Sequence, residues 1–234
     1  MKILSGEYVT EGVLIVASIL VAFSIDAWWA ERQERQQEMQ ILTALRTEFQ
    51  LNSNRLPVFI DNHGKTMDAA TAVIRRMRSA ADGQKVVVAY ADLFNAVDHG
   101  SFDALNGTLN AVLQSGDLRL IESAEIRARI AAWPALLQDA TENEVLLRTI
   151  WGPRLSDVLG RDIDLSPMEP DWGCGTTGDS LCAGGEVAIT ANTEVSSLLM
   201  LAYGWSKEAA RELAYLQKES DEIVSLIDEE LGSN

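Results

Sequence analysis

The chain has 234 residues, enough for one large domain or a domain with an appendage, and its 47% hydrophobic content supplies a core and argues against disorder by composition. A formal charge of −16 and a pI near 4.5 exclude a phosphate-neutralising basic face, so no nucleic acid is expected as a partner. The same charge disfavours adhesion of the soluble part to anionic lipid heads and is compatible with a basic patch on a partner protein.

The first element in chain order is the apolar run from Glu11 to Arg32. Gly12 to Ile25 is uncharged but short, a length that suits a signal core or a buried helix. Its flanks favour a bilayer. Tyr8 stands on one side and Trp28 and Trp29 on the other, residues whose apolar rings and polar tips suit the headgroup layer. From Tyr8 to Trp29 a helix rises about 33 Å, against a hydrocarbon core of about 30 Å. A cleaved signal would need a small-x-small site after the run, where Asp26 and the Trp pair sit instead. The expected organisation is a membrane anchor over 1–29, a helical stalk over 30–38, and a helical body over 39–234 with an irregular cysteine-containing loop at 160–190. A buried soluble helix is the alternative for the first segment.

At 100° per residue, Glu11, Ser18, Ala22, Asp26, Trp29 and Arg32 share an arc of about 120°. Ser18 and Ala22 form a small-xxx-small pair that permits close backbone approach in lipid. Two readings of this face stay open. Glu11 and Asp26 either rest in the wet interface at each end of the span, or bond to another transmembrane helix docked on the face.

These residues resemble the opening of a large bacterial family of uncharacterised single-pass membrane proteins. That opening is an acid, an apolar span with Gly-Ile-Leu-x-Ala, then Asn-x-Trp and a charged helix. Here Ser18 stands for the Gly and Asp26 for the Asn, with Ile19, Leu20, Ala22 and Trp28 in place. A second patch, Leu109 to Trp133, is similar to the family's Leu-x-Ser-Gly-x-Leu-x-Leu-Ile pattern through Leu113, Ser115, Gly116, Leu118, Leu120 and Ile121, followed by Ile126 and Arg127. The two patches cover about a fifth of the chain. The resemblance implies a single-pass anchor with a helical extramembrane domain and implies no activity.

Past the span, Ala30 to Glu38 has no large apolar residue and reads as solvated helix. From Met39 the pattern turns amphipathic through Ile41, Leu42, Leu45 and Phe49, and Asn52, Asn54 and Pro57 are expected to end that helix. A second helix follows from Val58 to Ala81. Lys85 to Tyr90 is β-branched, but with no evident partner strand a turn or helix start is preferred. Further helices are expected at 101–114, closed by Ser115-Gly116, and at 124–158, opened by Ser123 and disturbed by Pro134 and Pro153. The last two are placed at 193–202 and 206–231, with Leu213, Leu216, Ile223, Leu226 and Ile227 as the seam of the second. The fold class is all-α: one N-terminal transmembrane helix continuing into a helical bundle.

Ser166 to Glu186 is rich in Gly, Pro and small polar residues and reads as neither helix nor regular strand. It holds both cysteines, Cys174 and Cys182. A disulfide between them needs an oxidising compartment and so places the body in the periplasm; free thiols are the alternative. Two Cys with the distant His63 and His99 have no metal-ligand spacing, and no metal or cofactor is expected. The cations Arg32 and Arg35 beyond the span, against Lys2 before it, pull weakly toward a cytoplasmic body. The paired cysteines are given more weight.

Gly173 to Gly178 spells G-x-G-x-x-G, but no strand precedes it and no long helix follows, so a dinucleotide site is not expected. Asp98, His99, Ser101 and Asp103 crowd in sequence, which a catalytic triad does not require, and read as a helix-capping turn. Trp133, Trp151, Trp172 and Trp205 read as core or loop anchors rather than a ligand cage, with Trp172 in the loop as the one candidate contact residue. No catalytic residues stand out and an enzyme is not expected.

The function expected is a non-catalytic accessory subunit in a bacterial inner membrane. Its partners would be the lipid bilayer and other membrane protein subunits, and a homo-oligomer is compatible with it. A periplasmic ligand-binding or sensor module is the alternative, disfavoured because only about ten residues precede the anchor and so leave no room for an output domain. Maleimide applied to intact cells should label Cys174 and Cys182 only after reduction. Labelling without reduction would rule out the disulfide, and labelling only after lysis would place the body in the cytoplasm.

Overall fold

The computed structural model describes residues 6–97, 100–165 and 185–232, with side chains from Glu11 onward. The Tyr8 side chain, Asp98, His99, Trp172, Cys174 and Cys182 lie outside the described residues, and with them the disulfide and the Gly-rich run. The element order is α1 (Gly6–Arg78), β1 (Lys85–Ala89), α2 (Tyr90–Val97), α3 (Gly107–Ser115), a 3-10 turn (Asp117–Leu120), α4 (Ala124–Leu146), a π-helical turn (Leu147–Trp151), α5 (Gly152–Gly160), β2 (Glu186–Thr190) and α6 (Thr193–Gly232). The chain is mostly helical, as expected, with one two-stranded sheet among the described residues.

The expected break at Asn52–Pro57 does not occur: α1 is one helix of 73 residues, about 110 Å long at the usual rise of ~1.5 Å per residue. Its buried stripe explains why. Leu42, Leu45, Phe49 and Leu56 are continued by His63, Ala70, Val73 and Met77, so the core pulls on the same face before and after Pro57. Asn52 does not end the helix because its amide is engaged elsewhere. It donates to the Leu105 carbonyl and accepts from the Leu105 N–H, both at 2.8 Å. Pro57 lies on the exposed side, and its missing N–H leaves the Ser53 carbonyl without the helical donor it would otherwise receive.

A second correction concerns α6, which runs unbroken through Tyr203, Gly204 and Trp205 for 40 residues. Leu198, Leu199, Ala202, Ser206, Ala209 and Leu213 keep one continuous buried stripe, and packing overrides the single glycine. The seam residues Leu213, Leu216, Ile223 and Ile227 are buried as read.

The third correction is the strand at Lys85. It pairs antiparallel with Glu186–Thr190 in the register Lys85↔Thr190 to Ala89↔Glu186. The partner lay inside the stretch read as irregular loop, about a hundred residues away, where Val187, Ile189 and Thr190 carry the β-branched signal. A fourth is the start of α3, at Gly107 rather than Ser101; residues 100–106 are irregular. Its end is as read, with Gly116 at φ +79°, a left-handed position that suits glycine. Ser123 caps α4 as expected, accepting from the Ile126 N–H at 3.4 Å. Pro134 lies on the exposed side within α4, while Pro153 follows the π turn. Pro153 cannot donate to the Thr149 carbonyl and its ring would crowd it, and a widened turn relieves that contact.

Two apolar clusters fill the body. One joins Leu42–Leu56 of α1 to α3, α4 and the C-terminal half of α6, with Phe49 edge-on to the fully buried Trp133 at 4.8 Å between centroids. The other joins Ala69–Met77 of α1 to both strands, α2, α5 and the start of α6. Trp151 is half-buried against it, and Trp205 is also half-buried.

Replacing Pro57 by Ala restores a helical amide at an exposed site. It should raise stability by about 1–3 kcal/mol in denaturant unfolding of the detergent-solubilised chain. A neutral or destabilising result would mean that the helix breaks at Pro57.

Candidate functional site

The site is built where the bare part of α1 meets the body. From Glu11 to Glu34 every residue of α1 is exposed, including each large apolar side chain from Val13 to Trp29. One helix is therefore long and apolar enough to cross a membrane, and its apolar window is not buried anywhere in the fold.

Contact with the body begins inside the stretch read as a solvated stalk. Arg35 is half-buried and Glu38 is 2% exposed. Glu38 lies four residues before Leu42, on the same helical stripe as the core, and that spacing was the overlooked signal. The Glu38 carboxylate accepts from the Glu122 N–H at 2.5 Å and pairs with Arg35. Arg35 also reaches Glu230 at 3.0 Å, near the end of α6, and Glu122 at 3.5 Å. The Glu230 hydrogen bond holds the Arg35 guanidinium above its ordinary pKa; partial burial works against this and Glu38 adds to it. Arg127 donates to the Ile121 and Glu122 carbonyls, at 2.5 and 2.8 Å, and fixes the turn that carries Glu122. One charged collar thus ties α1, the start of α4 and the end of α6 together.

Beside the collar lies an open cleft of about 1150 Å³ between residues 28–39 of α1 and residues 119–127. Four arginines and four glutamates line it with Trp28, so its formal charge is zero in a chain of charge −16. Its lining has no thiol, hydroxyl or imidazole, and among the described residues no three or more His, Cys, Asp or Glu are grouped to hold a metal. The cleft offers ion pairing and hydrogen bonding to a bound group.

The residues predicted for the helix-contact face divide. Glu11, Ser18, Ala22, Asp26 and Trp29 are exposed along the bare helix. The Ser18 hydroxyl donates to its own Leu14 carbonyl at 2.8 Å, so on this face it offers small size rather than a free donor. Arg32 leans instead over the Trp28 ring, 5.8 Å from its centroid, and both line the cleft. Trp28 and Trp29 stand 6.4 Å apart and tilted by 54° at the end of the apolar run.

Sequence reasoning also missed a buried pair deeper in the body. His63, read as an isolated histidine, is 2% exposed and lies 3.1 Å from Oε1 of Glu144, which is fully buried. The other Glu144 oxygen accepts from the Phe102 N–H at 2.9 Å. His63 follows Leu56 by seven residues on the buried stripe of α1, which was the available clue.

No protein-family model, curated protein or solved structure matches the chain.

Glu38→Ala would leave the Glu122 N–H unsatisfied and remove one partner of Arg35, and should cost about 2 kcal/mol in denaturant unfolding. Glu38→Gln keeps an acceptor and should cost less. Equal costs for the two variants would show that the acceptor at Glu38 contributes nothing.

Proposed function

We propose that the chain is a non-catalytic accessory subunit of a larger membrane complex, held in a bacterial inner membrane by residues 11–29 of α1, with a helical bundle as its extramembrane domain on the periplasmic side. The observation that carries this reading is the change of environment along one helix. The large apolar side chains from Val13 to Trp29 are between 49% and 66% exposed, while from Leu42 onward the stripe that faces the body is closed into the core. Each such side chain left in water forgoes about 1.5–3 kcal/mol of transfer free energy, so a cover outside the chain's own fold is required. Lipid supplies it over a length that matches the hydrocarbon core. The resemblance of the opening residues to a family of single-pass membrane proteins supports the same reading.

The subunit role rests on what the bare helix presents. Ser18 and Ala22 offer a low ridge on which a second transmembrane helix packs closely, and Glu11 and Asp26 stand near its two ends. Beyond it, among the described residues, Arg35 and Arg129 are held in ion pairs with Glu38 and Glu219, and Glu48 is held in a helix cap.

Purification in mild detergent should yield the chain together with a stoichiometric membrane partner. Ser18→Leu with Ala22→Leu should reduce that retention while leaving the unfolding transition of the body unchanged. Undiminished retention would remove the small-residue face from the account. A solitary oligomer that binds a small molecule would replace the subunit role by a sensor.

A further inference from the structure

We infer that the cleft beside the collar binds the headgroup of a zwitterionic, ethanolamine-type phospholipid from the surrounding bilayer; this rests on the membrane anchoring proposed above and names the lipid that the cleft selects. Position is the first argument. Arg32 follows Trp28 by one helical turn, a rise of about 6 Å, and the headgroup layer is about 5–8 Å thick on each side of the hydrocarbon. A cleft lined by both residues therefore opens at headgroup depth.

The second argument is which charges remain unmatched. Arg35 is taken up by Glu38, Glu122 and Glu230, and Arg127 by two backbone carbonyls. The side chains of Arg32 and Arg119, and equally of Glu31 and Glu34, have no hydrogen bond or ion pair among the described residues. Arg32 lies over the Trp28 ring, 5.8 Å from its centroid, and its side chain makes no hydrogen bond among the described residues, so the N–H edge of the guanidinium has no acceptor there. That edge is the part of an arginine that grips a phosphate. The cleft thus offers two cations suited to a phosphodiester and two carboxylates suited to a nearby ammonium.

The third argument is discrimination. A glycerol head supplies the phosphate but no ammonium, and it would bring a net negative charge toward Glu31, Glu34 and a strongly acidic chain. A choline head supplies a quaternary nitrogen with no N–H to donate. An ethanolamine head has both the phosphate and a three-donor ammonium, the same donor set as a lysine. Of the three, only it satisfies every unmatched group in the cleft.

The test uses the full chain in nanodiscs of equal parts phosphatidylcholine, phosphatidylethanolamine and phosphatidylglycerol, with native mass spectrometry of the lipids retained on release. Wild type should keep phosphatidylethanolamine in preference to the other two. Arg32→Gln with Arg119→Gln should lower its occupancy about tenfold or more, the loss of both charge-assisted contacts to the phosphate. Glu31→Gln with Glu34→Gln should bring phosphatidylethanolamine and phosphatidylcholine to parity. Arg211→Gln, at an exposed pair on α6, should change neither. Entry into nanodiscs with no lipid preference, preference for phosphatidylglycerol, or indifference to the arginine changes would overturn the inference and leave the anchor standing. Failure to enter nanodiscs at all would overturn both. If the arginine changes release a co-purifying protein while lipid occupancy holds, the cleft is a protein-docking site instead.

Discussion

A carboxylate buried at 2% exposure, one helical turn past the end of a bare helix, sets the geometry of the rest of the molecule. Glu38 is the first point at which α1 ceases to be an isolated rod. A buried carboxylate needs an opposite charge and hydrogen-bond donors, and Arg35 and the Glu122 N–H provide both. Through Arg35 the same cluster reaches the last turns of α6. Because α1 has no break on either side of this collar, the direction of the apolar segment and the orientation of the body are one variable. An unbroken helix transmits a tilt, and the three-point attachment stops the body from pivoting about it.

The middle of the body is organised by polar groups in the same way. His63 and Thr66 on α1, Asn143 and Glu144 on α4 and Ser206 on α6 are buried polar residues that fall, along the chain, between the stretches feeding the two apolar clusters. Apolar stripes alone would tolerate sliding of long helices by a turn. A His–Glu contact at 3.1 Å does not, since a slip would leave both groups buried and unpaired. The irregular stretch before α3 is held by side chains rather than by a ladder. Glu144 takes the Phe102 N–H, Arg55 donates to the Asp103 carbonyl at 2.9 Å, and Asn52 binds both backbone groups of Leu105. Glu48 then accepts from the Thr108 and Leu109 N–H groups at 2.7 and 2.9 Å, so a carboxylate on α1 caps α3.

These features explain which parts of the chain were legible from sequence. Local signals were read correctly: the apolar span, the Ser123 cap, the Gly116 stop and the α6 seam each depend on neighbours within a few turns. What failed depended on partners far along the chain. Asn52 carries the same local signal whether it ends a helix or clamps a distant loop, and only Leu105 decides between them. Pro57 is tolerated because the stripe on the opposite side is buried along its whole length. The strand at Lys85 was discounted for want of a partner that lies about a hundred residues further along the chain. At the candidate site, the aromatic pair and the arginines were visible, but the cleft was not, because residues 119–127 have no local feature that places them beside Trp28.

The acid excess acquires a structural meaning from the same contacts. Glu38, Glu48, Glu144 and Asp162 all accept backbone N–H bonds from other segments, where a basic side chain could not serve. Asp162 shows the balance of terms. Burial works to raise its pKa, but hydrogen bonds from Lys85 and from the Thr190 amide and hydroxyl outweigh it and hold the value below the ordinary one. That cluster closes the two-stranded sheet at the far end of α1, as Glu38 closes the near end. A share of the charge of −16 is therefore internal bonding capacity, and treating the whole of it as a field aimed at a basic partner would overstate that field. On the proposed reading, the described surface that would serve recognition is the bare helix and the cleft at its exit, where the formal charge is balanced and shape and hydrogen-bond pattern would select the partner.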